Sequence, residues 1–549
     1  MPSVAKIPED VTALKALVLR QAADFAQREQ EQQQHWQQAL QEQQRQQQTL
    51  AQQAQQALQE QQAEYQTEIE RLREQIRLLL ARRFGASREA SSPDQLGLFH
   101  EAREEAAPET AEAETVAVPA HPRAKRGRRP LPEDLPRRDV LHDLSEEEKI
   151  CPHDGARLEP LGEDISEQLD IIPARMEVIR HIRRKYACPC CERQVRTAPL
   201  PPQPIPKSIA SPGLLAYVAT AKYVDALPLY RQEVMFQRLG ADLPRATFAN
   251  WMVQCGQLIQ PLINLMRDQL LAGPLIQMDE TRVQVLKEPE DRPAQAQSWM
   301  WVSRGGPLDH PLILYDYHAS RGVAAPLALL EGYQGVLQTD GYRVYRQIGE
   351  REGIVHVGCW AHARRKFDEA VKAQGRNSRK AGRAYQGLAW IQKLYRIEHS
   401  LKQATPEARY AARQEQAKPL LQALRVWLDN ARTQAPPKTA IGKALHYLHD
   451  EWPRLIRYLD DGAIPIDNNR AENAIRPFVV GRKNWLFSHS VEGVQASANL
   501  YSLVQTAKAN RREPYQYLRQ VFTELPKASN VEQIEALLPG NVNINPAEA

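Results

Sequence analysis

The chain has 549 residues, 42% of them hydrophobic, which is enough for three or four domains with a sizeable buried core. Its 71 basic residues nearly balance its 67 acidic ones, so the net charge of +4 does not by itself indicate a nucleic-acid partner, and any basic surface must be local. No apolar run approaches the roughly 18 residues of a membrane helix and no signal peptide is visible. We therefore expect a cytoplasmic protein without a membrane partner, whose six Cys are metal ligands or free thiols.

The first predicted element is a Gln-rich helix and coiled coil over residues 12–85. Apolar residues near its end alternate in steps of four and three, which is the spacing of a coiled-coil seam. The seam consists of Tyr65, Ile69, Leu72, Ile76 and Leu79. Gln55 and Gln62 interrupt it upstream, so a solitary solvated helix or Gln-rich disorder is the alternative. The coiled coil predicts a homodimer or a higher oligomer.

Residues 86–148 form a Pro-rich linker with a basic cluster, HPRAKRGRRPLPEDLPRRD. Arg126, Arg128 and Arg129 flank Gly127 in a pattern similar to an AT-hook, in which Arg side chains enter a narrow minor groove of DNA. A plain phosphate-binding segment or a solvated linker fits the same residues.

The next segment, residues 149–200, contains two Cys clusters that are typical of a zinc ribbon. Cys151 lies in CPHD, and Cys188 and Cys191 lie in CPCC. Zinc needs four ligands in a tetrahedron, and two tight turns can supply two each. The fourth ligand is open between Asp154, His153 and Cys190, and free thiols in a small β unit are the alternative. We expect a structural Zn²⁺ site, because no general base is evident nearby.

Residues 208–270 predict a helical DNA-binding region with a possible helix-turn-helix. Gly240 would end the first helix, and Leu243, Phe248 and Trp251 would form the inner face of the second. Arg245 and Asn250 would then face outward, where such side chains can contact bases or phosphates. The same pattern is common in ordinary helical cores.

Residues 274–375 alternate strand and helix patterns, and three acidic residues in and after this region are candidates for a metal site. Asp279 lies in an apolar run, LIQMDETRVQVL, and Asp340 ends a second run before Gly341. Glu472 lies in a helix that Asp467 or Asn468 can cap and Pro477 can stop. Two strands and a helix could bring the three carboxylates together. Such a set can bind two Mg²⁺ (or Mn²⁺) ions for an in-line phosphoryl displacement.

Each carboxylate also has a structural interpretation. Glu280 and Asp316 compete with Asp279 for the strand position. Asp340 could simply form a turn before Gly341. Glu472 could pair with Arg476 one helical turn later.

Basic side chains surround these acids in the sequence and are candidates to hold a polyanion against the metal ions. They are His362, Arg364, Arg365, Arg476, Arg482 and Lys483. A metal site made of His356, Cys359 and His362 is disfavoured, because their spacing crosses a predicted change from strand to helix.

The rest of the chain reads as a helical insertion over residues 376–465, a second part of the mixed domain over 466–510 and a C-terminal helical segment over 511–545. The insertion explains why 132 residues separate Asp340 from Glu472.

Several motifs of this chain together resemble the transposase of the insertion-sequence family numbered sixty-six, the TnpC type. They are RFGASRE with LGLF, KRGRRPLPEDLP, KYACPCC, TDGYRVY, HVGCWAHARRKF and IPIDNNRAENAIRPFVVGRKNWLFS. The resemblance covers nearly the whole chain after the Gln-rich helix. It implies a bacterial DDE transposase of α+β multidomain architecture: a coiled coil, a zinc ribbon, a helical DNA-binding region and an RNase H-like catalytic domain with an all-helical insertion.

The resemblance also implies roles for particular residues. Asp279, Asp340 and Glu472 become the catalytic triad that holds the Mg²⁺ ions. The family carries a Cys-like zinc ligand where this chain has Asp154, so the fourth zinc ligand stays open. The expected partners are double-stranded DNA, both transposon ends and target, and possible small accessory proteins of the same element, with the protein at the bacterial nucleoid. The alternative functions are a catalytically silent DNA-binding repressor or scaffold, and a coiled-coil adaptor.

Overall fold

The computed structural model describes residues 10–84, 137–139, 175–187, 195–289, 292–307, 309–374 and 382–542, together with residues 145, 149, 157 and 168. The chain begins with one long helix, α1 (Val11–Phe84). A short antiparallel hairpin follows, formed by β1 (Lys185–Ala187) and β2 (Val195–Thr197). From residue 201 on, the described residues form helices and one mixed sheet, so the α+β multidomain prediction is confirmed.

Between residue 201 and the sheet, the described residues form four helices: α2 (Pro212–Tyr223), α3 (Leu229–Arg238), α4 (Arg245–Leu258) and α5 (Gln260–Leu271). Gly240 lies just past the end of α3 with φ +89°, a conformation that glycine adopts without a steric penalty, and it turns the chain towards α4. Phe248 and Trp251 of α4 are buried, whereas Arg245 and Asn250 are exposed.

The sheet has six strands in the order β5-β4-β3-β6-β7, with β8 pairing to β3. Its strands are β3 (Leu275–Lys287), β4 (Gln297–Gly305), β5 (Leu312–His318), β6 (Gly335–Gln338), β7 (Ile354–Val357) and β8 (Ser488–Ser490). β3, β4 and β5 form an antiparallel meander, and β6, β7 and β8 are parallel to their neighbours. The helices after the strands are α6 (Ala324–Leu329), α7 (Arg343–Ile348) and α8 (Trp360–Ala373).

A helical insertion with its own core separates α8 from the last part of the sheet domain. It contains α9 (Arg383–Ser400), α10 (Pro406–Ala412), a π-helical turn (Arg413–Ala417), α11 (Lys418–Thr433), α12 (Ala440–Leu455) and a 3₁₀ turn (Ile456–Leu459). Its apolar faces bury Leu424, Leu428, Leu445 and Leu448 against the inner face of α8. The insertion is therefore attached to the helix that follows β7.

The chain then returns to the sheet through α13 (Asn469–Trp485), β8 and α14 (Val491–Ala509). It ends in α15 (Pro514–Glu524), a 3₁₀ turn (Leu525–Lys527) and α16 (Val531–Glu535). α14 covers the edge strand β5 with polar as well as apolar side chains. The backbone N–H of Tyr315 donates to Ser502 Oγ at 2.8 Å, and that of Ile313 donates to Thr506 Oγ1 at 3.0 Å. These bonds satisfy backbone donors that an edge strand would otherwise expose.

The prediction that Pro477 stops α13 is wrong, because the helix continues through Pro477 to Trp485. A proline inside a helix removes one backbone hydrogen bond and crowds the preceding turn. Ile475 and Phe478 are buried on the same helix, and this packing holds its two halves in line.

α1 contacts the insertion near its C-terminal end. Glu74 Oε2 accepts from the backbone N–H of Ala440 at 2.9 Å, and Arg77 Nη1 donates to the carbonyl of Ala373 at 3.1 Å. The predicted coiled-coil seam lies on other positions of α1, and its five side chains are 44–64% exposed in the single chain. Within the described residues, no helix combines the length and the apolar character needed to cross a membrane.

A strained turn ends α13. Leu486 has φ 67° and ψ −51°, and the N–H of Phe487 donates to the carbonyl of Trp485 at 2.9 Å, which makes a γ-turn with positive φ. We expect Leu486→Gly to raise the free energy of unfolding by about 1 kcal/mol, because glycine adopts this conformation without strain. Val480→Gly, in the regular part of the same helix, should lower it by about 1 kcal/mol. Urea titration measures both, and a destabilised Leu486→Gly would contradict the strain.

Candidate active site

The three predicted carboxylates meet beside the middle of the sheet. Asp279 lies within β3, Asp340 lies two residues past the end of β6, and Glu472 lies in the first turn of α13. β3 and β6 pair in parallel with Gln277 opposite Gln338. Two residues further on, the same register brings Asp279 opposite Asp340 and on the same face, because side chains alternate along a strand.

Two buried glutamines fasten the chain before α13 to this face of the sheet. Gln277 Nε2 donates to Gln338 Oε1 at 2.7 Å and to the carbonyl of Asp467 at 3.1 Å. Gln338 Nε2 donates to the carbonyl of Pro465 at 2.8 Å. Because Gln277, Gln338 and Asp467 are buried, the bonds fix the point at which α13 begins.

Asn468 sets the position of Glu472. Its Nδ2 donates to the carbonyl of Met278 at 2.8 Å, and its backbone N–H donates to Cys359 Sγ at 3.2 Å. The first turn of α13 is thereby held against β3 beside Asp279, so Glu472 projects towards the two aspartates.

The electrostatics show that the carboxylates are close. Burial raises the pKa of the Asp279 carboxyl well above its usual range. The negative charge of the neighbouring Glu280 raises it further, as do those of Glu472 and Asp340. A buried carboxyl whose pKa is raised by neighbouring carboxylates is stabilised in its charged form by a cation among them.

The donor set fits a hard divalent ion such as Mg²⁺, which binds carboxylate oxygens and keeps sites for water and phosphate. One oxygen of Glu472, Oε1, is buried and has no hydrogen-bond partner in the part of the chain that the structure describes. Asp279, Asp340 and Glu472 are the residues that could hold such ions.

Two side chains of helix α8 also contact Glu472. Arg365 Nη2 donates to Glu472 Oε2 at 2.9 Å, and His362 Nδ1 lies 3.4 Å from Glu472 Oε1. Ligand atoms of Cys359, His362 and Glu472 all lie within 4.8 Å of one another. Burial lowers the pKa of His362, which favours the neutral ring, while the Glu472 carboxylate opposes that shift.

The sequence disfavours a metal site of His356, Cys359 and His362. In the structure, His356 is not part of the cluster that Cys359 and His362 form, and it contacts Thr339 instead. Its Nε2 shares a hydrogen bond with Thr339 Oγ1 at 2.9 Å, and burial lowers its pKa to about 3. Glu472, from a distant part of the sequence, is the third member of the cluster with Cys359 and His362 instead.

The competing acids have other partners. Glu280 points to the opposite face of β3 and accepts from Arg321 Nε at 2.9 Å and from the Tyr345 hydroxyl. Asp316 pairs with Arg267. Asp340 does form a turn, since its Oδ1 accepts from the N–H of Tyr342 at 2.9 Å. The structure pairs Glu472 with Arg365 of α8, where the sequence suggested Arg476.

Sequence reasoning missed Gln277 and Gln338, and it considered Asn468 only as a helix cap and Cys359 only in the disfavoured metal site. A signal for the glutamines was present, because each aspartate follows a glutamine by two residues, in LIQMDE and in VLQTDG. Since side chains two residues apart lie on one face of a strand, matching Gln-x-Asp triplets indicate that both strands direct these side chains to the same face of the sheet.

Asp467, just before α13, makes the free energy of unfolding depend on pH. Burial raises the pKa of Asp467 to about 6, although hydrogen bonds from the Tyr395 hydroxyl and from the N–H of Asn469 lower it. The folded state therefore binds this proton more tightly than the unfolded chain, so the contribution of Asp467 to stability falls as the pH rises from about 4 to about 6. The free energy of unfolding of Asp467→Asn minus that of wild type should therefore increase by about 2–3 kcal/mol from pH 4 to pH 7. Urea titrations across that range measure it, and a pH-independent difference would contradict it.

The predicted DNA contacts fall on several elements. Arg482 Nη1 donates to the carbonyl of Arg282 on β3, and Arg476 and Lys483 are exposed on α13. Arg364 is half-buried on α8. Arg126, Arg128 and Arg129, and the zinc candidates Cys151, His153, Asp154, Cys188, Cys190 and Cys191, lie outside the described residues.

Four family models match this chain in order. The model described as "Transposase IS66 family" matches residues 207–496, and "zinc-finger binding domain of transposase IS66" matches residues 148–192. "Transposase C of IS166 homeodomain" matches residues 71–140, and "IS66 C-terminal element" matches residues 502–539.

Similar proteins occur in Sinorhizobium fredii (strain NBRC 101917 / NGR234). The relative named "Uncharacterized protein y4jD" is 32% identical over 421 residues, which is 75% of this chain and 81% of the relative. "Uncharacterized protein y4hP" is 29% identical over 492 residues, covering 86% of this chain and 87% of the relative.

Proposed function

Because the chain belongs to the IS66 family of DDE transposases, we propose that it binds the terminal inverted repeats of its insertion sequence, cleaves DNA there and joins the freed end to target DNA. The observation that carries this proposal is the convergence of Asp279, Asp340 and Glu472 on one side of β3. A DDE domain implies phosphoryl transfer with divalent metal ions.

The sheet supports an RNase H-like assignment for the catalytic domain. An antiparallel meander of three strands is followed by two parallel strands, with the first strand, β3, in the centre of the order β5-β4-β3-β6-β7. The first carboxylate lies on that central strand, the second follows its parallel neighbour, and the third lies on a helix after the insertion.

Mg²⁺ or Mn²⁺ ions on the three carboxylates would supply a metal-activated water and stabilise the charge of the leaving oxygen. The chain's own residues orient these groups. Gln277, Gln338 and Asn468 hold the strands and α13 in register, so the carboxylates need little rearrangement on binding. Arg365 is half-exposed on α8 and can exchange its bond to Glu472 for a DNA phosphate.

The reaction consists of two in-line displacements at one site. Water first attacks the phosphodiester at the end of the element, and the freed 3′-hydroxyl then attacks target DNA. Neither step requires a covalent bond between the protein and DNA. Lys483 and Arg476, both exposed on the helix that bears Glu472, are positioned for phosphate contacts near the reacting strand.

Recognition of the ends belongs to the segments before the sheet. Arg245 and Asn250 are exposed on α4, beyond the turn at Gly240, and fit contacts to DNA. The zinc-finger match suggests that Zn²⁺ stabilises the region around Cys151, Cys188 and Cys191, with Asp154 or His153 as further candidate ligands. Small accessory proteins of the same element are possible partners.

The test is a cleavage assay with duplexes that carry the ends of the element, taken from the DNA flanking this gene. The proposal expects Mg²⁺-dependent nicks that leave a 3′-hydroxyl at the element boundary. Tight end binding without cleavage under Mg²⁺ or Mn²⁺, even with the accessory proteins added, would favour a silent DNA-binding protein.

Self-association through α1 would let one complex hold two transposon ends. We expect Leu72→Asp to convert the dimer to a monomer of 62.4 kDa, because it places a charge in the exposed apolar seam. Light scattering after size-exclusion chromatography measures the mass. Leu50→Asp is the matched control, since Leu50 is 65% exposed on the same helix but outside the seam. Equal masses for wild type and Leu72→Asp would contradict the coiled coil.

A further inference from the structure

An open groove of about 370 Å³ lies beside the C-terminal end of α13. Its lining includes Arg282 and Gln284 of β3, Gln297 of β4, and Arg482 and Leu486 at the end of α13. Val283, Gln295 and Ala296 complete the lining, so two cations and three glutamines share one groove with apolar residues.

The two arginines carry uncompensated positive charge. The Arg482 guanidinium donates to the carbonyl of Arg282 and to Thr281 Oγ1, and the Arg282 guanidinium lies 5.7 Å from the centre of the Trp299 ring. Neither guanidinium has a carboxylate partner in the described ranges of the chain. Burial lowers the pKa of Arg482, and the like charge of Arg282 lowers it further. Two adjacent guanidinium groups without a carboxylate partner can bind an anion such as a phosphate.

The strained turn presents apolar side chains beside this charge. Leu486 is 65% exposed and lines the groove, and the next residue, Phe487, is 43% exposed. The positive φ of Leu486 holds its side chain out of the helix, where it buries little of its surface. Exposed apolar groups next to phosphate-binding cations suit the faces of nucleic-acid bases.

The groove lies close to the proposed reaction centre. The side chain of Arg282 alternates to the face of β3 opposite Asp279, whereas Arg482 reaches Thr281 Oγ1 on the same face as Asp279. Arg282 follows Asp279 by three residues, about 10 Å along an extended strand. That is about three base-pair steps along B-form DNA. β3 pairs with β6 up to Gln277 and with β8 from Val285 onward. Between these two pairings, the side chains of Asn468 and Arg482 contact β3.

We propose that this groove binds an unpaired nucleotide of DNA near the cleaved end, with Arg282 and Arg482 on its phosphate and Leu486 and Phe487 against its base. The amides of Gln284 and Gln297 are placed to bond the edge of that base. The inference rests on the proposed function, because it takes DNA as the substrate. It adds that the protein distinguishes a frayed end from a paired one, since a paired base is stacked and cannot reach the turn.

The test compares two labelled probes of the same sequence, a fully paired duplex and one whose last three nucleotides are unpaired. Fluorescence anisotropy without added divalent metal gives the affinity of the whole protein for each. We expect wild type to bind the frayed probe about tenfold more tightly. Leu486→Gly, which relieves the strained turn, should reduce that ratio to near one while leaving the affinity for the paired probe unchanged. Val480→Ala is the matched control, because Val480 is 49% exposed on the same helix and does not line the groove.

Equal affinity of wild type for both probes, or an unchanged preference in Leu486→Gly, would overturn the groove. The cleavage assay separates this result from a failure of the proposed function. Cleavage without a preference for the frayed probe would contradict the nucleotide-binding role of the groove alone. A binding preference that is lost in Leu486→Gly would support that role even if no cleavage is observed.

Discussion

Asp340→Ala is expected to slow DNA cleavage by about a thousandfold or more, because removing one of the three carboxylates that we propose to bind the metal ions costs several kcal/mol of transition-state stabilisation. Binding to the transposon ends should stay close to wild type, since Asp340 follows β6 whereas Arg245 and Asn250 lie on α4. Rates of nicking at saturating protein, with affinities measured on the same duplex, separate the two effects.

Asp316→Asn is the matched control for this experiment. Asp316 also lies near the end of an apolar strand of the same sheet, but it pairs with Arg267. Its substitution should leave cleavage within a few-fold of wild type. A similar loss of cleavage in both variants, or loss of end binding in Asp340→Ala, would mean that Asp340 has a structural role instead.

Arg413→Ala should destabilise the helical insertion by about 3–5 kcal/mol, the usual cost of leaving a buried charge without its partner. Arg413 is fully buried in the π-helical turn. It donates to both oxygens of Glu398 at 2.8–2.9 Å and to the carbonyls of Tyr458 and Asp461. One side chain therefore joins α9, the π-helical turn and the end of the 3₁₀ turn after α12.

Hydrogen exchange is the suitable measurement, because the described residues form two separate hydrophobic clusters and the loss is expected in one of them. Protection should fall in α9, α11 and α12 and stay unchanged in the strands. Arg425→Ala is the control, since Arg425 forms an exposed pair with Asp429 on α11 and should cost less than about 0.5 kcal/mol. Unchanged protection in Arg413→Ala would show that the buried pair does not stabilise the insertion.

Much of the candidate site could be predicted from the sequence, because its signals are local. Asp279 and Asp340 each end or interrupt an apolar run, and Glu472 follows a recognisable helix start. The resemblance to the IS66 transposases, carried by long motifs around these residues, is confirmed by the family models. The catalytic roles of the three acids stay a prediction.

The contacts between distant segments could not be predicted. The contacts from α8 to Glu472 bring Arg365 and His362 to a residue more than a hundred positions away, and only the folded chain brings them together. The helix through Pro477 was missed for a related reason, because buried packing against the sheet outweighs the local preference of proline. The strained turn at Leu486 has no glycine or asparagine to mark it in the sequence.

The most direct test of the central claim is to map the metal site on the protein itself. Fe²⁺ in place of Mg²⁺, with ascorbate and peroxide, generates hydroxyl radicals that cut the polypeptide next to the bound ion, and mass spectrometry locates the cuts. The three-carboxylate site predicts cuts near residues 279, 340 and 472 in wild type, and their loss in Asp279→Ala. Cuts at other positions, or an unchanged pattern in Asp279→Ala, would contradict it.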